Sequence, residues 1–228
     1  MNKSNDLLNY LEWDVRNWAV ALDFWRAKAV QRLPDCKVLE IGSNRGGLSL
    51  WFASQGARVV HSDANVLKEE AFERHRAGGV SHLIEYETID ATDIPYTDHF
   101  DIVVFKSVLG AVGDGDRDAQ KKAISEMHKA LKPGGELFFA ENAVASPIHM
   151  YLRRKMIKWG NWWRYVTIEE MKEFLAPFSH TEFRSIGFAG TFGRTERQRD
   201  WLALCDRLVF EHIVPDSWKY IIAGVATK

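Results

Sequence analysis

Val38-Leu39-Glu40-Ile41-Gly42-Ser43-Asn44-Arg45-Gly46-Gly47 is an apolar run carrying one carboxylate that breaks into a glycine turn and continues as the helix-length segment LSLWFASQG. A buried strand, a glycine turn and a helix in that order leave free backbone amides at the end of the strand, and glycine lets a ligand approach the backbone closely. A G-x-x-x-G-G turn alone is a weak signal, so the pattern on either side of it decides the fold.

Working outward, the short apolar runs VLEIG, RVVHSD, IEYETID, FDIVVFKS and GELFFAEN alternate with stretches that can each hold a helix. That rhythm predicts an α/β fold built on a parallel sheet, with right-handed crossovers that place helices on both faces. One such helix, DAQKKAISEMHKA, stops at Leu131-Lys132-Pro133-Gly134-Gly135. After Asn142 the rhythm breaks into a basic and aromatic segment, then a helix, TIEEMKEFLAPF, and a strand near HTEFRSIGF. Thr195 is placed to cap a further helix with Trp201, Leu204, Cys205, Leu208 and Val209 on one side and Pro215 beyond it, and WKYIIAGVAT reads as the last strand. Upstream of the sheet, Leu7, Leu8, Leu11, Val15, Trp18, Leu22 and Trp25 recur at helical spacing until Pro34. The chain therefore divides into an N-terminal helical cover, 1–35, and a main domain, 36–228, that carries a basic and aromatic lid segment at 146–166.

The 228 residues are 46% hydrophobic and 27% charged, the balance of an ordinary globular chain. Thirty Lys+Arg against 31 Asp+Glu give a net charge of −1, so no global field draws the chain to nucleic acid or an anionic membrane, and any electrostatic steering is local. Cys36 and Cys205 have neither metal-knuckle spacing nor the number of a secreted scaffold. Met1 to Asp6 is polar, and nowhere do about 18 apolar residues run together, so neither a signal peptide nor a spanning helix is expected and a cytoplasmic location follows. Nine Trp are the one unusual feature.

Two further carboxylates sharpen the glycine turn. Asp63, with Ala64 after it, ends the second strand, where an acid in an open α/β sheet accepts both hydroxyls of a ribose. Asp90 with Ala91 ends the third and suits an adenine edge. A nicotinamide dinucleotide and S-adenosylmethionine both contain these groups. The dinucleotide needs G-x-G-x-x-G to hold its pyrophosphate, but Asn44 stands at the second glycine and Glu40 puts negative charge near the phosphates. A sulfonium amino acid instead brings an ammonium that Glu40 welcomes.

With Glu40 and its glycine loop, Asp63, Asp90-Ala91 and the LKPGG turn in place, residues 36–145 resemble the class I S-adenosylmethionine-dependent methyltransferases of the small-molecule type. The resemblance implies a Rossmann-like seven-stranded sheet with the cofactor along the carboxyl ends of strands one to four. It further implies that Glu40, Gly42, Ser43, Asn44 and Gly46 hold the methionine part, Asp63 and Ala64 the ribose, and Asp90 and Ala91 the adenine. Lys106 and Ser107 then sit beside the transferring methyl.

Phe105-Lys106-Ser107-Val108-Leu109 lacks the Pro-Pro-aromatic motif of methyltransferases acting on nucleic-acid bases, and no Pro-Cys motif is present, so nucleic acid is not the expected partner. Glu141-Asn142 resembles the acid-amide pair of catechol-type metal enzymes, but Lys106 replaces their acid after strand four, so no metal is expected. The lid segment carries Arg153, Arg154, Lys155, Lys158 and Arg164 among Tyr151, Trp159, Trp162, Trp163 and Tyr165. That composition suits an anionic or aromatic acceptor, while a solvated charged face and Trp packing of the N-terminal helix onto the sheet are the structural alternatives. The expected reaction is in-line attack of a substrate oxygen or nitrogen on the methyl, in which positioning supplies much of the rate. If a base takes part, His149 is the first candidate, with Tyr151, Tyr10 and Glu141 behind it. His61 is read as core. An NAD-dependent oxidoreductase and a non-catalytic cofactor-binding scaffold are the competing functions.

Overall fold

The computed structural model describes residues 3–156 and 163–228. Seven strands, β1 (Lys37–Ile41), β2 (Arg58–Asp63), β3 (Ile84–Thr88), β4 (Phe100–Lys106), β5 (Leu131–Asn142), β6 (His180–Ile186) and β7 (Ile221–Thr227), form one sheet in the order β3-β2-β1-β4-β5-β7-β6. The first five strands are mutually parallel, and β7 slots antiparallel between β5 and β6. Because consecutive side chains alternate across a sheet, β1 sends Val38 to one core and Leu39 and Ile41 to the other.

The first face is covered by α2 (Val15–Lys28) and α3 (Gly47–Ala53), whose Trp18, Leu22, Trp25, Leu48, Trp51 and Phe52 pack on Val38, Val59, Val104 and Phe138. Trp18, Trp25 and Trp51 are thus core. Trp25 lies against Phe138 at 5.7 Å and donates its indole N–H to the Gly224 carbonyl at 3.0 Å, so its one polar atom is satisfied inside the sheet. α5 (Arg117–Ala130) and α7 (Ile168–Phe174) cover the opposite face through Ile124, Met127, Met171 and Phe174. Asp116 caps α5, and Thr167 closes a capping box with Glu170 on α7.

Three local expectations give way. The N-terminal cover is two helices, α1 (Lys3–Leu11) and α2, because Glu12 (φ 72°) and Asp14 (φ 45°) turn the chain left-handed between them. The stretch 89–99 holds no helix: Pro95 restricts the residue before it, and the Asp90 carboxylate closes a turn by accepting from the Thr92 N–H at 2.7 Å. The LKPGG turn is absorbed into the start of β5, where pairing with β4 shifts register between Phe100 and Ile102.

Asp14 is held by a buried polar knot. Tyr220, at the start of the last strand, donates its hydroxyl to the Asp14 carboxylate. The Asn17 amide reaches the Tyr220 hydroxyl at 2.7 Å and the Asp206 carboxylate at 3.0 Å. Asp206 also accepts the Ala189 and Gly190 N–H groups at 2.6 and 2.9 Å. Burial, with Glu196 and Asp206 close by and only partly offset by Tyr220 and Arg199, pushes the Asp14 carboxyl up to about 7. α1 in turn lies on the glycine turn, so that a Cβ on Gly47 would fall 2.2 Å from the Tyr10 carbonyl oxygen.

Two expected outcomes follow. Gly47→Ala must push α1 away, costing about 1–3 kcal/mol as overpacking does and opening residues 3–12 to limited proteolysis. Asp14 binds more protons folded than unfolded between 3.8 and about 7, so its contribution to stability falls as pH rises through that window. Asp14→Asn, followed by denaturant unfolding, therefore gains on the parent as pH rises from about 4 to about 7, by at most about 4 kcal/mol at ~1.36 kcal/mol per unit.

Candidate cofactor and active site

The carboxyl ends of β1, β2, β3 and β4 meet along one edge, and the turn after β1 is left-handed at Gly42 (φ 64°), Asn44 (φ 50°) and Gly46 (φ 75°). Asn44 tolerates that conformation better than most residues. Its N–H donates to Asp63 Oδ2 at 3.2 Å, while Asn65 N–H donates to Oδ1 at 3.0 Å, so Asp63 braces the loop at the end of β2. A Cβ on Gly42 would meet Val108 at 2.5 Å, and one on Gly46 would meet the His75 ring at 2.4 Å, which is why these positions carry no side chain. Asn44 therefore costs the loop nothing in shape.

Glu40 is the buried acid of the turn, 4% exposed on the α3 side of the sheet. Ser49, in the first turn of α3, donates to Glu40 Oε2 and lies 3.1 Å from His61 Nδ1, and His61 Nε2 lies 2.9 Å from Ser43 Oγ. With Ser49 donating to Glu40, each contact has one donor only if His61 donates from Nδ1 and Ser43 donates to Nε2. Burial holds His61 down at about 4, so it is neutral core, as expected from its place inside β2. Burial also pushes Glu40 up to about 8, against the pull of Ser49 and of the Lys106 ammonium. A buried carboxyl in that state gains from a cation, which is the donor chemistry that a methionine ammonium brings. Asp63, half-buried, and Asp90, exposed beside buried Ala91, complete the row of acids. Ala64 follows Asp63 on the exposed side. These side chains fit S-adenosylmethionine.

Lys106 leaves the end of β4 toward the N-terminal cover, its ammonium 4.7 Å above the Trp18 ring. Burial lowers its pKa, while Glu12, Glu40, Glu141 and Asp14 oppose that shift. Ser107 is left-handed (φ 56°), and its hydroxyl accepts from the Asn142 amide. Glu141 gathers three backbone N–H groups, those of Val108, Leu109 and Asn142, each at 2.8 Å, so its oxygens fix the loop after β4 and are not free for base or metal chemistry. Sequence reasoning missed Ser49 and Asn142 as partners of this site. Ser49 sits two residues past the glycine turn, where a small hydroxyl in an otherwise apolar helix was the available signal.

The base candidates fare differently. His149 is 1% exposed on α6 (Pro147–Met156), with Nδ1 2.6 Å from Ser146 Oγ and Nε2 2.8 Å from the Phe188 carbonyl, and its ring lies 4.6 Å from Phe192. Both nitrogens are spent inside the protein, and burial lowers its pKa, so the expectation of a base at His149 is corrected: this is a core histidine. Tyr151 is exposed on α6 under Lys155, and Tyr10 packs partly buried beside the first core.

The basic lid is corrected as well. Arg153 is 6% exposed, its guanidinium 4.0 Å from the Tyr165 ring centre and donating to the Ala143 carbonyl at 2.6 Å. Arg164 bonds Gln120 at 2.6 Å and pairs with Glu170. These two arginines tie the lid to the end of β5, α5 and α7, leaving Arg154 and Lys155 as its exposed cations among the described residues. Lys158, Trp159 and Trp162 lie outside the described residues, and Trp163 seats against Gly110.

Comparison with known proteins agrees with this geometry. Residues 39–139 match the family model described as a methyltransferase domain. A ubiquinone/menaquinone biosynthesis C-methyltransferase UbiE from Methylococcus capsulatus is 34% identical over 126 residues, 52% of this chain and 47% of that protein. A demethylmenaquinone methyltransferase from Clavibacter sepedonicus is 31% identical over 121 residues, 51% of this chain and 46% of that one, so the chain spans about half the length of these curated relatives. Among solved structures, phosphoethanolamine N-methyltransferase 2 from Haemonchus contortus, in complex with phosphomonomethylethanolamine and S-adenosylhomocysteine, superposes with a TM-score of 0.63 at 17% identity over 92% of this chain and 52% of that one. Residues 39–139 thus match a methyltransferase domain, and the sheet around them has the strand order of the class I S-adenosylmethionine-dependent methyltransferase fold.

Proposed function

We propose that the protein transfers a methyl group from S-adenosylmethionine to an oxygen or nitrogen of a small molecule by in-line displacement, without a metal. The observation that carries this is the buried Glu40 beside a left-handed glycine turn, with Asp63 at the end of β2 and Asp90 just past β3 along the same sheet edge. The cofactor supplies an electrophilic methyl, and its thioether leaves without needing a proton. Glu40 receives the ammonium, Asp63 the ribose hydroxyls and Asp90 the adenine edge, while α1 and the Trp18–Lys106 contact exclude water from the crevice. A dry, pre-shaped site holds the nucleophile in line, which is where such a transfer gains its rate.

Small-molecule acceptors are supported by the Haemonchus contortus N-methyltransferase, whose structure is a complex with phosphomonomethylethanolamine. The Methylococcus capsulatus relative is named a C-methyltransferase, which makes carbon the competing acceptor atom. With Arg153 and Arg164 tied into the fold, the case for an anionic acceptor rests, among the described residues, on Arg154 and Lys155.

Calorimetric titration with S-adenosylmethionine, S-adenosylhomocysteine and NAD in separate runs tests the cofactor. Binding of the first two and none of NAD is expected; binding of NAD alone overturns the proposal. Asp63→Ala weakens S-adenosylmethionine binding by about tenfold or more, the value of a charge-assisted hydrogen bond of ~1.5–3 kcal/mol. Glu40 is protonated in the free protein below about 8, so ionising it to receive an ammonium releases a proton. The binding heat near neutral pH then varies with the ionisation enthalpy of the buffer, and Glu40→Gln removes that dependence. Turnover with a panel of phenolic and amine acceptors separates an enzyme from a cofactor-binding scaffold.

A further inference from the structure

α8 (Glu196–Cys205) and its continuation through a π-helical turn, Asp206–Phe210, to Ile213 form the connection between β6 and β7. A helix on a globular domain ordinarily turns its apolar face to the core. Here the orientation is reversed. The inward side carries Ala203 and the Asp206 carboxylate, the latter held by Ala189 N–H, Gly190 N–H and Asn17, with Phe210 beside Phe188 at 5.3 Å. Outward stand Trp201 (66% exposed), Leu204 (41%), Leu208 (65%), Val209 (48%) and Ile213 (69%). Trp201, Leu204 and Leu208 follow at i, i+3 and i+7 on one stripe, with Val209 beside them. The polar anchoring of Asp206 holds this apolar side in water, so exposure is built in rather than left over from folding.

The charges around the ridge say what suits it. Among the described residues, the carboxylates of the segment other than the buried Asp206 are each paired: Glu196 with Arg199, Asp200 with Arg16, Glu211 with Arg184 and Asp216 with Lys219. Arg194, Arg197 and Arg207 are exposed and pair with no described carboxylate. The face therefore combines an apolar ridge containing a Trp with unneutralised guanidinium groups at its margins, the composition of a helix that lies in the plane of an anionic lipid interface. A second copy of the same face would set these arginines against one another with their acids already engaged.

We propose that this outward face of α8 and its continuation docks the protein on a bilayer surface containing anionic lipid. The proposal is independent of the acceptor and of the cofactor assignment.

Co-sedimentation of the full chain with vesicles of equal parts phosphatidylglycerol and phosphatidylcholine, against vesicles of phosphatidylcholine alone, tests it. Binding to the anionic vesicles is expected, falling by about tenfold or more in Leu208→Asp and in Trp201→Ser, and falling with added salt in the parent. Both positions face solvent, so the thermal melt of the variants is expected to match the parent. Absence of binding to anionic vesicles overturns the proposal, as does equal binding to phosphatidylcholine alone. A well-folded Leu208→Asp that binds as the parent does, or a concentration-dependent dimer that Leu208→Asp abolishes, also overturns it and in the second case assigns the face to self-association.

Discussion

The architecture depends on one close approach: the backbone of α1 against the backbone of the glycine turn, with nothing between the Tyr10 carbonyl and Gly47. Contact that tight is open only to glycine, and it makes the cover and the crevice a single object. Because α1 lies on the turn, Glu12 and Asp14 must bring the chain sharply round to deliver α2 onto the sheet, and Trp18 then meets Lys106 at the end of β4. The same approach leaves Glu40 sealed from water and therefore poised to accept a positive charge.

Much of this was legible in the sequence where a residue type has only one comfortable use. Short apolar strands at regular spacing gave the order of elements, and the acids at the strand ends line one edge of the sheet. Thr195 was legible as a cap because its hydroxyl and the Gln198 amide satisfy backbone groups within a few residues of each other. The illegible part consists of long polar side chains whose partners are remote. Arg153 and Arg164 look alike as members of a basic run, yet each is neutralised by groups on other elements: a carbonyl after β5 and an aromatic ring for one, Gln120 and Glu170 for the other. His149 belongs with them, since only the arrival of Phe188, far along the chain, closes its second nitrogen.

A division of labour between the two ends of the sheet follows. The parallel half carries the acids and the glycine turn, whereas the β6–β7 half, reversed in direction, carries the polar knot and the outward ridge. Asp206 serves both: its oxygens hold the cover through Asn17 and fix which side of its own helix meets solvent.

The knot also sets an order of assembly. Tyr220 and Asp14 are bonded across 206 positions of chain, and Asn17 reaches Asp206 across 189. Loops of that span close late, because their entropy is lost before their contacts are gained. On a ribosome the first helices leave the tunnel long before β7 does, and the knot of Asp14 and Asn17 lacks Tyr220 until the chain reaches the last strand, threaded between β5 and β6. The segment that lies over the crevice is thus made first and locked by this knot last, so the oldest part of the chain waits on the newest to fix its final seat.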